Sequence, residues 1–281
     1  MIGFIRRKIG FLRRMYAYAK QGPECRVVKV GLIHGRTLEG KTILVTGGGT
    51  GLGYEMAAKF VSEGAKVIIT GRTESKLATA VEKIGGANIR FLVWDVSNVQ
   101  ESERMVDELF SSDIGGIDIL VNNAGVSNRQ RFGELSVETW DATYNTNLRG
   151  LVFLLQAVVN KWLLTKRGGV VLNVASFAAI EPNEDAYGSS KSALIGLTSG
   201  LGRKLARRNI RINAIAPGVI VGTNVNKVQR SVDPQGDVSC DWLGAGRYGI
   251  PSEISELATF LVGDAASYIN GQTIVCDGGS V

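Results

Sequence analysis

Short apolar runs alternate with segments of helical periodicity from residue 41 onward, and this alternation restricts the fold more than any other feature of the chain. The runs are TILVT (42–46), KVIIT (66–70), IRFLVW (89–94), IDILV (117–121), GVVLNVA (169–175), IRINAIA (210–216) and a last one at 273–276. Short runs that are apolar on both faces are typical of a parallel sheet that helices cover on both sides. We therefore predict an α/β fold with a seven-stranded parallel sheet and helices on both faces.

Helical periodicity fills the intervals between these runs. After the first run, apolar residues recur at helical spacing from Leu52 to Phe60, and Gly64 ends the helix. Further helices are expected over 74–83, 99–111, 137–163, 185–206 and 252–263. The segment 222–250 is long for a loop without secondary structure, so we expect part of it to be helical and to cover a substrate.

Length and composition fit one domain preceded by an extension. The chain has 281 residues and 44% hydrophobic content, and α/β folds of about 250 residues often form one unit. We assign residues 1–40 to a basic amphipathic N-terminal extension and residues 41–281 to the domain. The 3 cysteines are far apart and form no CxxC pair, which favours a reducing compartment such as the cytoplasm. With so few cysteines and 1 histidine, we expect no metal site.

The net charge of +6 lies in the extension. Residues 1–20 contain six basic residues and no acidic one, and the 26 basic residues that remain of 32 balance the 26 acidic ones. The neutral body gives no indication of a nucleic-acid groove. In the extension, basic residues alternate with large apolar ones, and three interpretations stay open: contact with an anionic membrane surface, packing on the body or on a partner subunit, or targeting.

The glycine-rich run TGGGTGLG (46–53) lies between the first strand and the first helix. A tight turn at this place lets backbone N–H groups and the helix N-terminus meet a pyrophosphate. The spacing is GxxxGxG and differs from the common GxGxxG fingerprint. The run nevertheless predicts a dinucleotide site. We assign to it Gly47, Thr50, Gly51, Leu52 and Gly53.

The end of the second strand indicates which dinucleotide is preferred. An acidic residue at this place bonds the ribose 2′-hydroxyl of NAD, but here the sequence is Thr70-Gly71-Arg72. An arginine suits the 2′-phosphate of NADP because its planar guanidinium can donate two parallel hydrogen bonds. We therefore expect NADP(H) to be preferred over NAD(H), with Arg72 as the determinant.

Polar residues also follow the third and fourth strands. Asp95 and Val96 come after the third strand, where a short acceptor can bond an adenine amino group. Asn123, Ala124 and Gly125 follow the fourth strand, where backbone can approach a cofactor. Because the carboxyl ends of parallel strands share one edge of a sheet, we expect these residues to line one crevice.

Tyr187 and Lys191 are four residues apart, which places their side chains on one face of a helix. A nearby ammonium favours the phenolate form of a tyrosine, so that the tyrosine can exchange a proton with a hydroxyl oxygen near neutral pH. Ser176 precedes Tyr187 by eleven residues and follows the fifth strand. The three residues, together with the dinucleotide site, predict a carbonyl/alcohol oxidoreductase.

The chain resembles the short-chain dehydrogenase/reductase family in its single-domain form from about residue 40 to 279. The motifs that carry the resemblance are TGGGTGLG, Asp95-Val96, NNAG (122–125), NTNLRG with Asn147, NVAS with Ser176, YGSSK (187–191) and Pro217-Gly218. The segment YINGQTIVCDGG (268–279) resembles the 3-oxoacyl-carrier-protein reductase branch. The resemblance implies a doubly wound, Rossmann-type sheet.

The resemblance also implies a role for each matching residue. Tyr187 would be the general acid/base, Ser176 would bond the substrate oxygen, and Lys191 would bind the nicotinamide ribose and lower the tyrosine pKa. Asn147 would hold a water in a proton relay. Pro217, Gly218 and Ile220 would lie beside the nicotinamide carboxamide. One departure is Gly222, which stands where the family often has threonine, with Thr223 following.

Three functions stay open from the sequence. The first is NADPH-dependent reduction of a ketone, such as a 3-oxoacyl thioester, by a homotetramer or homodimer. The second is an NAD(P)-dependent dehydrogenase of a sugar, steroid or other secondary alcohol. The third is a non-catalytic NADP-binding scaffold, which would have no need of all four residues Asn147, Ser176, Tyr187 and Lys191. Trp242 is a candidate substrate contact.

Overall fold

The computed structural model describes residues 36–128, 130–181, 184–222 and 243–281. Seven strands form one parallel sheet in the order β3-β2-β1-β4-β5-β6-β7. The strands are β1 Thr42–Thr46, β2 Lys66–Gly71, β3 Ile89–Val93, β4 Ile119–Asn122, β5 Gly169–Val174, β6 Ile210–Pro217 and β7 Thr273–Cys276. The predicted seven-stranded, doubly wound sheet is confirmed.

Helices connect the strands and cover both faces of the sheet. They are α1 Gly51–Ser62, α2 Glu74–Ile84, α3 Ser102–Ser111, α4 Val137–Tyr144, α5 Leu151–Leu164, α6 Ala186–Leu205 and α7 Pro251–Val262. Short 3-10 turns lie at Val99–Glu101, Phe177–Ala179, Ala206–Arg208 and Asp264–Ala266. Among the described residues, no helix is both long and apolar enough to cross a bilayer.

The core has one apolar layer on each face of the sheet. On one face, α1, α2 and α7 pack over alternate strand residues through side chains such as Met56, Leu77 and Ile254. On the other face, α3 and α5 cover the opposite residues of the same strands, through side chains such as Leu109 and Trp162. Because both faces are buried, the strands are apolar at successive positions, as the sequence predicted.

The strand order reverses between β1 and β4, which are neighbours in the middle of the sheet. The next strand after β1 in the chain, β2, lies beside β1 on one side of this pair. The next strand after β4, β5, lies beside β4 on the opposite side. At such a switch point the loops after the two strands diverge and leave a crevice at the carboxyl edge of the sheet. The fold therefore places the predicted site residues at one edge.

The long helix predicted over 137–163 is interrupted. A π-helical segment, Asn145–Gly150, lies between α4 and α5. A Cβ atom on Gly150 would overlap the carbonyl oxygen of Val96, so this glycine lets the segment pack directly on the chain after β3. A wider turn of this kind inside a helix frequently marks a functional site. Apolar periodicity does not reveal it because the segment follows α4 and precedes α5 without any intervening loop.

The two ends of the domain add detail to the sequence prediction. Residues 36–40, assigned to the extension, already pack on the domain: Leu38 is fully buried, and Thr37 donates to the carboxylate of Glu63. The predictions for residues 1–35 and for 223–242 lie outside the described residues. Residues 243–250 contain no helix.

Candidate active site

A cavity of about 310 Å³ opens at the carboxyl edge of the sheet. Most of the residues predicted to bind a cofactor or to react line this cavity. They are Gly47, Thr50, Gly51, Leu52, Arg72, Asp95, Val96, Asn123, Ala124, Gly125, Ser176, Tyr187, Lys191, Pro217, Gly218 and Ile220. Gly53 and Asn147 do not line it. Both lie immediately behind the lining.

The glycine turn after β1 is held by polar residues from β1 and from the end of β4. The Thr46 hydroxyl accepts hydrogen bonds from the backbone N–H groups of Asn123 and Ala124, both at 3.0 Å. The Asn123 amide donates to the carbonyl oxygens of Thr46 and Gly47 at 2.9 and 3.2 Å. Sequence reasoning missed Thr46, although it begins the glycine-rich run.

Gly53 acts through the space it leaves. A Cβ atom at this position would overlap the carbonyl oxygen of Gly47 and would lie 2.5 Å from the Asn123 amide nitrogen. The first turn of α1 can therefore lie close to the glycine turn only with glycine at 53. Gly47 has a φ of 65°, which also favours glycine.

The N-terminus of α1 points its backbone dipole at the cavity. The first turn of this helix carries no acidic side chain, and its first N–H groups have no intrahelical acceptor. Together with the partial positive charge at a helix N-terminus, these groups suit a phosphate. The cradle formed by the glycine turn and α1 therefore fits the pyrophosphate of a dinucleotide.

The end of the cavity beside β2 is positively charged. Arg72 and Lys76 are exposed, both line the cavity, and neither forms an ion pair within the described residues. Thr73 lines the cavity between them and precedes α2. Sequence reasoning identified Arg72 and missed Lys76, although the four-residue interval between the two was visible. This end suits an anionic substituent.

Asp95 holds the turn after β3. Its Oδ1 accepts hydrogen bonds from the backbone N–H of Ser97 at 2.9 Å and from the Ser97 hydroxyl at 2.7 Å. These bonds orient the carboxylate at the cavity wall, beside Val96. The position agrees with a contact to the base of a nucleotide.

Tyr187 and Lys191 lie in the first two turns of α6 and are 6% and 3% exposed. The helix begins after Asp185, whose carboxylate accepts a hydrogen bond from Gly188 N–H at 2.7 Å. The Lys191 ammonium donates to the carbonyl oxygen of Val174, at the end of β5, at 2.7 Å. Its nitrogen also lies 5.9 Å from the centre of the Tyr187 ring. The lysine therefore joins the helix to the strand end beside the tyrosine.

Burial lowers the pKa of Lys191 to about 8, because an apolar environment disfavours the charged form. At neutral pH most Lys191 side chains still carry a positive charge. This buried charge faces Tyr187 and lies near Gly125, where a Cβ atom would be 3.5 Å from the ammonium nitrogen. The tyrosine is thus in the field of a cation that water screens little.

Ser176 follows β5 and opens the short turn Phe177–Ala179. Its hydroxyl accepts a hydrogen bond from Ala178 N–H at 3.2 Å, which fixes the side chain at 5% exposure. The turn is tied to α6 because the Ser192 hydroxyl donates to the carbonyl oxygen of Ala179 at 3.1 Å. Phe177 also lines the cavity and was missed by sequence reasoning, although it directly follows Ser176.

Asn147 is fully buried in the π-helical segment and both ends of its amide are engaged. Oδ1 accepts from Val126 N–H at 2.8 Å, and Nδ2 donates to the Val126 carbonyl at 2.9 Å. Nδ2 also donates to the Ser190 hydroxyl at 3.3 Å, which in turn donates to the Tyr187 carbonyl at 2.7 Å. The side chain therefore fixes the loop after β4 against the helix that carries Tyr187.

Three acidic residues precede Tyr187. Glu181 and Glu184 are exposed, while Asp185 serves as the N-cap of α6. Gly222 has a φ of 69°, a backbone conformation that threonine would adopt only with strain. Thr223 and Trp242 lie outside the described residues. Among those that are described, no group of three or more His, Cys, Asp or Glu side chains is suited to hold a metal ion.

The chain is similar to known oxidoreductases over most of its length. A family model described as enoyl-(acyl carrier protein) reductase matches residues 47–280. The 2-dehydro-3-deoxy-D-gluconate 5-dehydrogenase of Dickeya dadantii is 34% identical over 246 residues, which cover 86% of this chain and 96% of that protein. The 3-oxoacyl-(acyl-carrier-protein) reductase of Thermotoga maritima is 34% identical over 248 residues, covering 87% of this chain and 99% of that protein.

Solved structures agree with this similarity. A crystal structure of a short chain dehydrogenase from Bacillus anthracis superposes with a TM-score of 0.78 at 32% sequence identity. The match covers 88% of this chain and 98% of that chain.

Proposed function

The chain belongs to the short-chain dehydrogenase/reductase family, whose members act on CH–OH groups and the corresponding carbonyls, and we propose that it reduces a ketone to a secondary alcohol with NADPH. The observation that carries the proposal is the arrangement of Tyr187, Lys191 and Ser176 on one wall of the cavity. The opposite end of the cavity has the cradle and the positive charge that suit NADPH.

In the proposed mechanism, NADPH bound in the cavity would supply the hydride that reduces the carbonyl carbon. Ser176 donates a hydrogen bond to the carbonyl oxygen and stabilises the negative charge that develops there. Tyr187 transfers its phenolic proton to the same oxygen, so that hydride and proton together give the alcohol. Alcohol oxidation uses the same groups in reverse, with Tyr187 as the base.

Lys191 and Asn147 support this proton transfer. The buried charge of Lys191 stabilises the phenolate that remains after Tyr187 gives up its proton. Lys191 would also hold the nicotinamide ribose. Tyr187 would regain its proton through a water held at Asn147, whose own side chain is fixed by its hydrogen bonds to Val126. The presence of all four residues speaks against a non-catalytic scaffold.

The preference for NADPH is supported by the end of the cavity beside β2. Arg72 and Lys76 provide two cations there, and an acidic residue that would bond a 2′-hydroxyl is not found at the end of β2. A 2′-phosphate would pair with the Arg72 guanidinium, and Lys76 would add a second positive charge.

The substrate is proposed to be a 3-oxoacyl thioester or a similar β-keto compound. The segment 268–279 supports this, and so do the apolar side chains of Val126 and Phe177, which line the cavity and suit an acyl chain. The alternative substrate is a sugar, steroid or other secondary alcohol. It has support as well, because the sugar-acid dehydrogenase and the 3-oxoacyl reductase relatives are each 34% identical to this chain.

A panel of carbonyl substrates, followed by NADPH absorbance, tests the function directly. The purified full-length protein should oxidise NADPH with a β-keto thioester, and the Tyr187→Phe variant should not. If the protein turned over sugars or steroids but no β-keto thioester, the alternative function would replace the proposed one. No turnover of any carbonyl, with NADPH still bound, would favour the scaffold.

Homotetramer or homodimer formation is proposed from large apolar side chains that are exposed on two parts of the domain. On α4 and α5 these are Val137, Trp140, Phe153 and Leu164. On α7, on β7 and in the chain between them these are Phe260, Tyr268 and Val275. Exposed apolar side chains on two parts of the domain suit two different contacts between copies, as a tetramer requires. Sedimentation equilibrium of the full-length protein would measure the oligomeric state.

For residues 1–20 we propose contact with an anionic membrane surface. The support is the sequence itself, in which six basic residues alternate with large apolar ones. The protein would then be cytoplasmic and peripheral to a membrane. Packing on a partner subunit and targeting remain the alternatives for this segment.

A further inference from the structure

Two backbone segments meet behind the wall of the cavity on the β6 side. One is the end of β6 and the chain that follows it, where Pro217, Gly218 and Ile220 line the cavity. The other is the irregular segment 243–250, which leads into α7. The backbone N–H of Gly249 donates to the Val219 carbonyl, and Val221 N–H donates to the Gly249 carbonyl, both at 3.0 Å. A single bridge of parallel type therefore joins Ile220 to Gly249.

Gly249 also defines the space available to the Ile220 side chain. A Cβ atom on Gly249 would lie 2.5 Å from Ile220 Cδ1, so the isoleucine rests directly on this backbone. Ile220 is 4% exposed and packs in the core layer of α7 as well as lining the cavity. A displacement of Gly249 would thus be transmitted to a side chain in the cavity wall.

One ion pair holds the backbone on both sides of Gly249. The Arg247 guanidinium donates to the two carboxylate oxygens of Glu253 at 3.0 and 2.6 Å, and it also donates to the Tyr248 carbonyl at 3.0 Å. The Glu253 carboxylate additionally accepts from Ile250 N–H at 2.9 Å. Hydrogen bonds from the Arg247 guanidinium and from the Ile250 backbone N–H lower the pKa of Glu253 to about 2. This carboxylate is therefore charged at neutral pH.

We propose that Arg247 and Glu253 are positioning residues, which fix Gly249 and through it hold Ile220 and the adjoining wall in the form that binds the nicotinamide half of the cofactor. The inference rests on the proposed function, because it assigns this wall to the nicotinamide. Neither residue touches the reacting atoms.

The Arg247–Glu253 ion pair contributes little to the stability of the fold. The Arg247 and Glu253 side chains are 44% and 38% exposed, and exposed ion pairs contribute little to global stability. The α7 helix is held instead by buried residues such as Ile254, Ala258 and Leu261. Loss of the pair should therefore appear in the cavity rather than in the unfolding transition.

The test compares two ligands that share the adenosine half. Arg247→Gln and Glu253→Gln in the full-length protein should weaken NADPH binding, measured by fluorescence titration, by roughly three- to tenfold. Binding of adenosine 2′,5′-bisphosphate, which lacks the nicotinamide, should be unchanged. The double variant should lose no more than either single one, since both remove the same pair. Arg90→Gln is the control. It breaks the exposed ion pair between Arg90 on β3 and Asp113, and it should leave the affinity for both ligands unchanged.

Three outcomes would overturn the inference. Unchanged NADPH affinity in both variants would show that the wall does not depend on the pair. An equal loss of affinity for both ligands would indicate a general structural role of the pair. A melting temperature of the variants lowered by more than about 3 °C would indicate the same. If the unmutated protein binds neither NADPH nor NADH, the proposed function itself fails. That result is distinguishable because it precedes any comparison of variants.

Discussion

The ammonium nitrogen of Lys191 lies 5.9 Å from the centre of the Tyr187 ring and is hydrogen-bonded to the Val174 carbonyl at 2.7 Å. The helix α6 provides the four-residue interval, and the end of β5 provides the carbonyl. A cation is thereby held beside a phenol at 3% exposure, where water screens it little. This relationship is the physical basis of the proposed proton transfer.

Replacement of Tyr187 by phenylalanine should remove the proton donor and keep the ring. We expect turnover to fall by about a hundredfold or more, while NADPH affinity is retained. Steady-state kinetics and fluorescence titration would measure the two effects. Tyr144→Phe is the matched control, since Tyr144 stacks on Trp140 at 4.7 Å outside the cavity lining and should leave turnover unchanged. Near-normal turnover of Tyr187→Phe would contradict the catalytic assignment.

Replacement of Lys191 by methionine should abolish most activity and stabilise the fold at pH 7. The pKa of Lys191 is lowered to about 8 by burial, so the folded state disfavours the charged form that the unfolded chain keeps up to about pH 10.5. Keeping the charged lysine buried therefore costs the folded protein as much as about 3 kcal/mol at pH 7. The methionine variant avoids this cost, but it loses the hydrogen bond to Val174, which would offset about 1 kcal/mol of the gain.

The pH dependence provides the check on this prediction. Between pH 8 and 10.5 the unfolded chain binds more protons at Lys191 than the folded protein, so the stability contributed by this residue rises with pH in that window. The stability advantage of Lys191→Met should therefore shrink as pH increases from 8. Urea unfolding at pH 7, 8 and 9 would measure it. An advantage that grows with pH would contradict the burial effect.

Replacement of Arg72 by aspartate should shift the cofactor preference from NADPH to NADH. The carboxylate would repel a 2′-phosphate and accept a hydrogen bond from a 2′-hydroxyl. We expect NADPH affinity to fall by about tenfold or more, which corresponds to about 1.4 kcal/mol. Lys83→Asp, an equal charge change at an exposed site on α2 away from the cavity, is the control. If the unmutated protein binds NADH as tightly as NADPH, the role of Arg72 is wrong.

Replacement of Gly53 by alanine should weaken cofactor binding and destabilise the fold. Its Cβ atom would overlap the Gly47 carbonyl, and relieving the overlap would displace the glycine turn at a cost of about 1–3 kcal/mol. Gly200→Ala is the matched control: this exposed α6 position has open space around it, and the substitution should stabilise by up to about 1 kcal/mol. Equal unfolding midpoints for the two variants would disprove the packing argument.

Deletion of residues 1–20 should abolish binding to vesicles that contain phosphatidylserine. Each basic residue near such a surface contributes about 1 kcal/mol, and the deletion removes six of them. Co-sedimentation of the intact and shortened proteins would measure the difference, with neutral phosphatidylcholine vesicles as the control. Equal binding by both proteins, or none by either, would reject the membrane proposal.

The sequence by itself determined the parallel sheet, its seven strands and the approximate helices, because apolar periodicity is a local property that records which faces are buried. It also indicated most residues of the cavity. Strand-end motifs such as TGGGTGLG and NNAG must meet at one edge once the strands are parallel, so their order in the chain was sufficient to place them together.

Only the tertiary structure decided how these residues act on one another. The π-helical interruption at Asn145–Gly150, the amide bonds of Asn147 to Val126, and the Thr46 hydroxyl that joins β1 to the end of β4 are contacts between segments distant in the chain. Sequence spacing does not encode such contacts. The lowered pKa of Lys191 likewise arises from removal of water by several packed elements, and desolvation exists only once those elements are assembled.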